Sequence, residues 1–234
     1  MSENIKKITK AFKVDLDSRE NQNILKPSTH PFNNRVHQVN GVAKKIDKLI
    51  KNAQDSNDDI ILNHNKIKKA FFSPFKPQLK SAQVFLSHSH ADKNKALKVK
   101  DYLESRTNHR VRVFIDSLFW DYKDDVLNEL EKYDDTSKIK DAFTLILRES
   151  LQDMIEKCPY FVFLQSNNSV SCNQDLSCIT YSAWIYEELK IAHSIRESRP
   201  TPMMESWQVF HNISPFLESL ETITLSKLSH IINS

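Results

Sequence analysis

The chain has 234 residues, 39% of them hydrophobic and 27% charged, with a formal net charge of +3; this is globular composition, with room for one ordinary domain plus an appendage or for two small ones. So small a charge, from lysines scattered along the chain, gives no nucleic-acid footprint, and no apolar run approaches the ~20 residues of a membrane span. The single glycine, Gly41, excludes the glycine-rich phosphate loops of dinucleotide folds and P-loops, so any nucleotide is bound some other way.

Two further expectations come from the same inventory. The opening "MSENIKKITKAFKV" lacks the apolar segment of a signal peptide, which places the protein in the cytoplasm. Cys158, Cys172 and Cys178 leave an odd thiol and no close pair of the kind that frames zinc, so reduced cysteines in a reducing compartment are expected.

Taken in chain order, residues 1 to about 40 are polar, with Pro27 and Pro31 and at most a short helix at the start. "GVAKKIDKLIKNA" sets Val42, Ile46, Leu49 and Ile50 at helical spacing, and "NDDIILNHNKIKKAFF" follows with a weaker helical pattern. Pro74 and Pro77 end that part. The domain boundary is set there, with residues 1–76 a mostly helical extension and 77–234 the main domain.

Beyond the boundary the period switches repeatedly between two and 3.6. "AQVFLS" (82–87), "VRVFIDS" (111–117) and "YFVFLQS" (160–166) read as buried strands. "KNKALKVKDYLES" and "TSKIKDAFTLILRESLQDMIEKC" read as helices between them, and a further helix runs from Ser182 to about Arg196. A weaker stretch from "SWQVF" to "TITLSKLSHIINS" finishes the chain. Strands that are apolar throughout indicate a parallel sheet covered on both faces. In such a sheet ligands bind beyond the carboxyl ends of the strands, which puts Ser87, His88, Asp116 and Ser166 on one rim.

"SHSHADK" (87–93) spaces His88, His90 and Asp92 as in the first metal-binding signature of metallo-β-lactamase-fold hydrolases. That signature continues with a histidine and glycines, whereas Lys93 and Asn94 follow here, and a lysine ammonium repels a metal. No metal is therefore expected. Ser89 or Asp92 is read as the cap of the next helix instead.

"TYSAWIYEEL" (180–189) is the most informative stretch. On a helix, Trp184, Glu188, Ile191 and Ile195 share one apolar stripe, while Glu187 falls with Ala183, Lys190 and Ser194 on a solvated face. A carboxylate on an apolar stripe is disfavoured without a partner and marks a candidate functional site.

Four blocks in order, "VFLSHSHADK", "VFIDSLFWDYKDDVL", "ESLQDMIEKCPYFVFLQSNNSV" and "TYSAWIYEEL", resemble the bacterial TIR-like (Toll/interleukin-1 receptor) domain family, over roughly half the chain from Ala82 to Arg196. The group it is most similar to is that of antiphage defence, including the Thoeris type. The resemblance implies a flavodoxin-like α/β domain with a central parallel sheet. It implies an enzyme that cleaves the nicotinamide–ribose bond of NAD as substrate, with no cofactor, and that can release a cyclic ADP-ribose signal to a downstream effector. Self-association is implied too, and the alternative reading is a TIR domain that only assembles.

Catalytic TIR domains carry a tryptophan followed four residues later by a glutamate, and Trp184 and Glu188 match that pair. On this resemblance Glu188 is the catalytic residue, stabilising the cationic sugar or holding its hydroxyls, and Trp184 stacks a ring of the substrate. Ser87 and His88 contact it by hydrogen bonds. Asp116 and Trp120 sit in the segment corresponding to the family's mobile loop after the second strand, where "SLFWDY" covers the site. That loop often contains glycine in relatives that cyclise the product, and here it has none.

Overall fold

A computed structural model of the chain describes residues 10–25, 39–54, 64–71, 81–107, 110–131, 137–172, 178–194 and 211–233. The elements begin with β1 (Lys10–Asp15), α1 (Arg19–Ile24), α2 (Val39–Gln54) and α3 (His64–Phe71). The alternation follows: β2 (Ala82–Ser87), α4 (Lys93–Arg106), β3 (Arg112–Ile115), α5 (Ser117–Leu130), α6 (Ser137–Lys157) and β4 (Tyr160–Gln165). A short hairpin pair, β5 (Ser171–Cys172) and β6 (Cys178–Thr180), leads into α7 (Ala183–Ser194). Then come β7 (His211–Asn212), α8 (Ser214–Glu218), β8 (Glu221–Thr222) and α9 (Leu225–Asn233).

Five strands pair in the order β3-β2-β4-β1-β8, and every pairing is parallel. The fold is α/β with a central parallel sheet, consistent with the flavodoxin-like class, whose strand order is 2-1-3-4-5. Counting β2 as the first strand, β3-β2-β4 fills the positions 2-1-3. The fourth position is taken by the N-terminal β1 and the fifth by β8.

Apolar residues without alternation make β2 and β4 interior strands. Val84, Phe85, Leu86 and Phe161 to Leu164 are all fully buried. Phe85 and Phe161 are register partners with near-parallel rings 5.8 Å apart, and Phe114 on β3 lies 5.7 Å from Phe85 on the other side.

The packing of the described residues does not follow the boundary expected after residue 76. By packing, the chain divides into one unit of Met1–Pro31, Ser81–Ser117 and Leu151–Ser234 and a second of Phe32–Lys80 and Leu118–Ser150. The proline stretch taken as the boundary lies outside the described residues. The two helices expected early in the chain exist as α2 and α3, but they cluster with residues 118–150 rather than with the N-terminal strand. Within this unit Phe71 meets Phe143 edge-on at 5.3 Å, and Ile46 and Ile50 are buried.

The physical reason is β1. All six of its residues pair with β4, from Lys10 opposite Tyr160 to Asp15 opposite Gln165. The ladder continues as Leu16 N–H donates to the Gln165 carbonyl at 2.8 Å. Its signal was an alternation of Phe12, Val14 and Leu16, diluted by Lys10 and Lys13. Lys13 extends its ammonium 3.4 Å from the Leu217 carbonyl, so its stem lies along the fold while its charge finds an acceptor.

Two more expectations are corrected. The "SLFWDY" segment expected as a loop is the first part of α5. Cys172 and Cys178, expected reduced, form a disulfide between β5 and β6, leaving Cys158 as the free, buried thiol. No helix among the described residues is long and apolar enough to cross a membrane.

Candidate functional site

The site grows from the carboxyl ends of neighbouring strands. Ser87 ends β2 and is wholly buried, His88 follows it, and Asp116 follows the end of β3. Because β2 and β3 pair in parallel, their ends emerge side by side. From the chain's other half, α7 supplies Glu188. That helix is held at its start by Ser182, whose side chain accepts from Ile185 N–H at 3.3 Å.

His88 has both ring nitrogens engaged. Nδ1 lies 2.6 Å from the Ser89 carbonyl and Nε2 lies 3.0 Å from Asp116 Oδ1, with Ser117 Oγ at 3.1 Å. Asp116 Oδ1 also accepts the Ser117 N–H at 2.7 Å. Burial works against charge on the ring, but the Asp116 carboxylate and the Ser89 carbonyl outweigh it and raise the His88 pKa above 6.5.

Glu188 is 0% exposed. Burial above all, and next the charge of Asp116, lift its pKa well above 4.5, so the fold favours the protonated carboxyl. Ser87 approaches and pulls the other way. The approach falls short of a formed hydrogen bond, for Ser87 Oγ and both Glu188 oxygens have no aligned partner. Three unsatisfied buried polar atoms at one place are costly in a finished core and suit a ligand that brings hydroxyl groups.

No protein-family model, curated protein or solved structure matches the chain.

Of the residues expected in the site, Ser87, His88, Asp116 and Glu188 are therefore brought together. Trp184 stands one turn before Glu188 on α7, half-buried. The side chain of Trp120 lies outside the described residues. Glu187 is corrected: expected on a solvated face, it is 1% exposed. The reason is that α7 is covered on more than one side. Tyr186, its neighbour, stacks on His211 of β7 at 4.5 Å and meets Phe216 of α8 at 5.7 Å, and neither β7 nor α8 enters a helical wheel.

The "SHSHADK" motif does not converge on one point. His88 faces Asp116, His90 is exposed, and Asp92 points to the loop after β4. Asp92 does stand at the N-cap of α4, but its carboxylate makes no cap bond there. It bonds Ser166 Oγ through one oxygen and Asn168 Nδ2, at 3.0 Å, through the other. Asp17 joins the same network, accepting Asn167 N–H at 2.9 Å and pairing with Lys95 at 3.1 Å, so the exits of β1, β2 and β4 are tied together. Among the described residues no group of three or more His, Cys, Asp and Glu is arranged to hold a metal ion. Sequence reading missed Ser117 as a partner of His88 and the N-terminal Asp17. The first was hidden in a presumed loop, the second in a presumed extension.

Proposed function

We propose that the chain is an NAD-consuming enzyme of the TIR type that cleaves the nicotinamide–ribose bond, with Glu188 as its catalytic residue. One observation carries the reading: a buried carboxyl without an aligned partner, beside Ser87 Oγ and Asp116 at the carboxyl end of a parallel sheet. The tryptophan–glutamate spacing and the resemblance of the surrounding blocks support it.

Departure of neutral nicotinamide leaves positive charge on the ribose, and a fixed carboxylate nearby lowers the energy of that state. Nicotinamide leaves readily, so no strong acid is required. Burial and Asp116 favour the protonated form of Glu188, and the positive pyridinium ring of bound NAD favours its ionised form. Water then attacks the sugar carbon and loses a proton, giving ADP-ribose; attack by the adenine of the same molecule gives a cyclic product instead. Glu188 is fully covered, so its covering side chains must part when substrate binds. A place in antiphage defence, self-association and an effector that answers the nucleotide signal belong to the same proposal and rest on the resemblance alone.

The test is incubation of wild type and Glu188→Gln with NAD, followed by mass analysis of all products. Wild type is expected to release nicotinamide together with linear or cyclic ADP-ribose, and the variant to be slower by about 10²- to 10³-fold. Equal consumption by both would end the catalytic assignment and favour a domain that only assembles.

A further inference from the structure

His88 was expected to touch substrate, yet neither of its ring nitrogens is available to do so. A carbonyl oxygen can only accept, so the 2.6 Å contact with Ser89 requires a proton on Nδ1. At Nε2 the nearest group is Asp116 Oδ1, which also accepts the Ser117 N–H, with Ser117 Oγ at 3.1 Å. A lone pair on Nε2 would face that oxygen at 3.0 Å and repel it. An imidazolium satisfies both contacts, donating from Nδ1 to Ser89 and from Nε2 to Asp116.

We infer that His88 is a positioning residue: its imidazolium fixes Asp116 as the ionised carboxylate of the site and thereby sets the pH at which the facing Glu188 gives up its proton. This deepens the proposed function, since it concerns the same carboxyl. The groups that bear on the cluster come from every element around it. They are Ser87 at the end of β2, Ser89 and Asp92 in the turn that follows, Asp116 and Ser117 between β3 and α5, and Glu188 on α7. In this arrangement one positive ring offsets one carboxylate, and the second carboxyl stays neutral because another negative charge would stand against the first.

Removing the positive charge has a definite consequence. Asp116 loses its counter-ion, its negative charge bears on Glu188 without offset, and the deprotonation of Glu188 moves to higher pH. His88→Gln keeps a donor near Asp116 but not the charge. It is expected to shift the acid limb of the kcat/KM profile for NAD upward by about one pH unit. A residue that merely supports the fold would lower kcat/KM at every pH and leave the limb in place, and that result would overturn the inference.

Two measurements need no turnover. In the intact wild-type chain, nitrogen chemical shifts of the His88 ring should show both nitrogens protonated at about pH 7, where a free imidazole is mostly neutral, and Asp116→Asn should abolish this. A neutral ring at that pH overturns the inference whether or not NAD is consumed. Infrared titration of the Glu188 acid carbonyl, identified by its loss in Glu188→Gln, should show the same upward shift in His88→Gln; an unchanged midpoint counts against it. Should wild type consume no NAD while the ring is charged and the carbonyl midpoint moves, the proposed reaction fails and the charge arrangement stands.

Discussion

At the scale of single residues, two buried groups dominate the electrostatics, and both bind protons more tightly in the fold than outside it. Glu188 is raised from 4.5 by burial and by Asp116; His88 is raised from 6.5 because Asp116 and Ser89 outweigh burial. The contribution of each to stability is complete below those unfolded values and is lost as pH rises through the folded ones. Glu188→Gln removes the first contribution and leaves the second. Thermal unfolding followed from about pH 5 to about pH 9 should show the variant gaining on wild type as pH rises, because only wild type must then bury a carboxylate. A gap independent of pH would mean that Glu188 does not titrate in the buried site. Glu187 is a poor neutral control for such work, since it too is buried. Cys158 is inert by the same logic, as burial pushes its thiol up to about 12.

At the scale of elements, the exposed side of the sheet at β3 is closed by a helix rather than by another strand. Val113 donates its N–H to Glu104 at 3.0 Å and accepts from Lys100 at 3.0 Å, and these two side chains of α4 pair with each other. An ion pair thus takes the ladder positions that a further strand would use, which is a known defence of sheet edges. Glu104→Ala should leave the buried Val113 N–H without its partner, at a cost of about 1–3 kcal/mol, and make the edge prone to pairing between chains. Denaturant unfolding would give the first quantity and light scattering the second. An unchanged midpoint would show that water replaces the carboxylate. None of this follows from helical periodicity, because Lys100 and Glu104 look like an ordinary surface pair one turn apart.

At the scale of the whole molecule, β1 decides how the chain is divided. It lies between β4 and β8, so its removal takes out an interior strand and leaves the ladder edge of β4 without its partner. A chain beginning near Lys76 is therefore expected not to unfold cooperatively and to aggregate, contrary to what the proline punctuation suggested. Circular dichroism with a thermal ramp decides the matter. A sharp transition matching that of the full chain would show that the sheet closes without β1.

Local order was written in the sequence by itself. The apolar runs of β2, β3 and β4, the helices between them and the helix carrying Glu188 are all legible, because strand and helix periods depend only on nearby residues. The meeting of Ser87, His88 and Asp116 was legible too, since parallel strands expose their carboxyl ends on one rim. Tertiary structure alone decided which strand fills the gap beside β4, because Lys10 and Lys13 blur a pattern that only the β4 ladder makes favourable. It alone decided that Glu187 is buried, because α7 is packed by residues from beyond it, with His211 and Phe216 against the neighbouring Tyr186. It also decided that both ring nitrogens of His88 are engaged, by Ser89 and by Asp116. The spacing of His88 and Asp116 along the chain carries no information about the 3.0 Å between them, which packing of β2 against β3 sets.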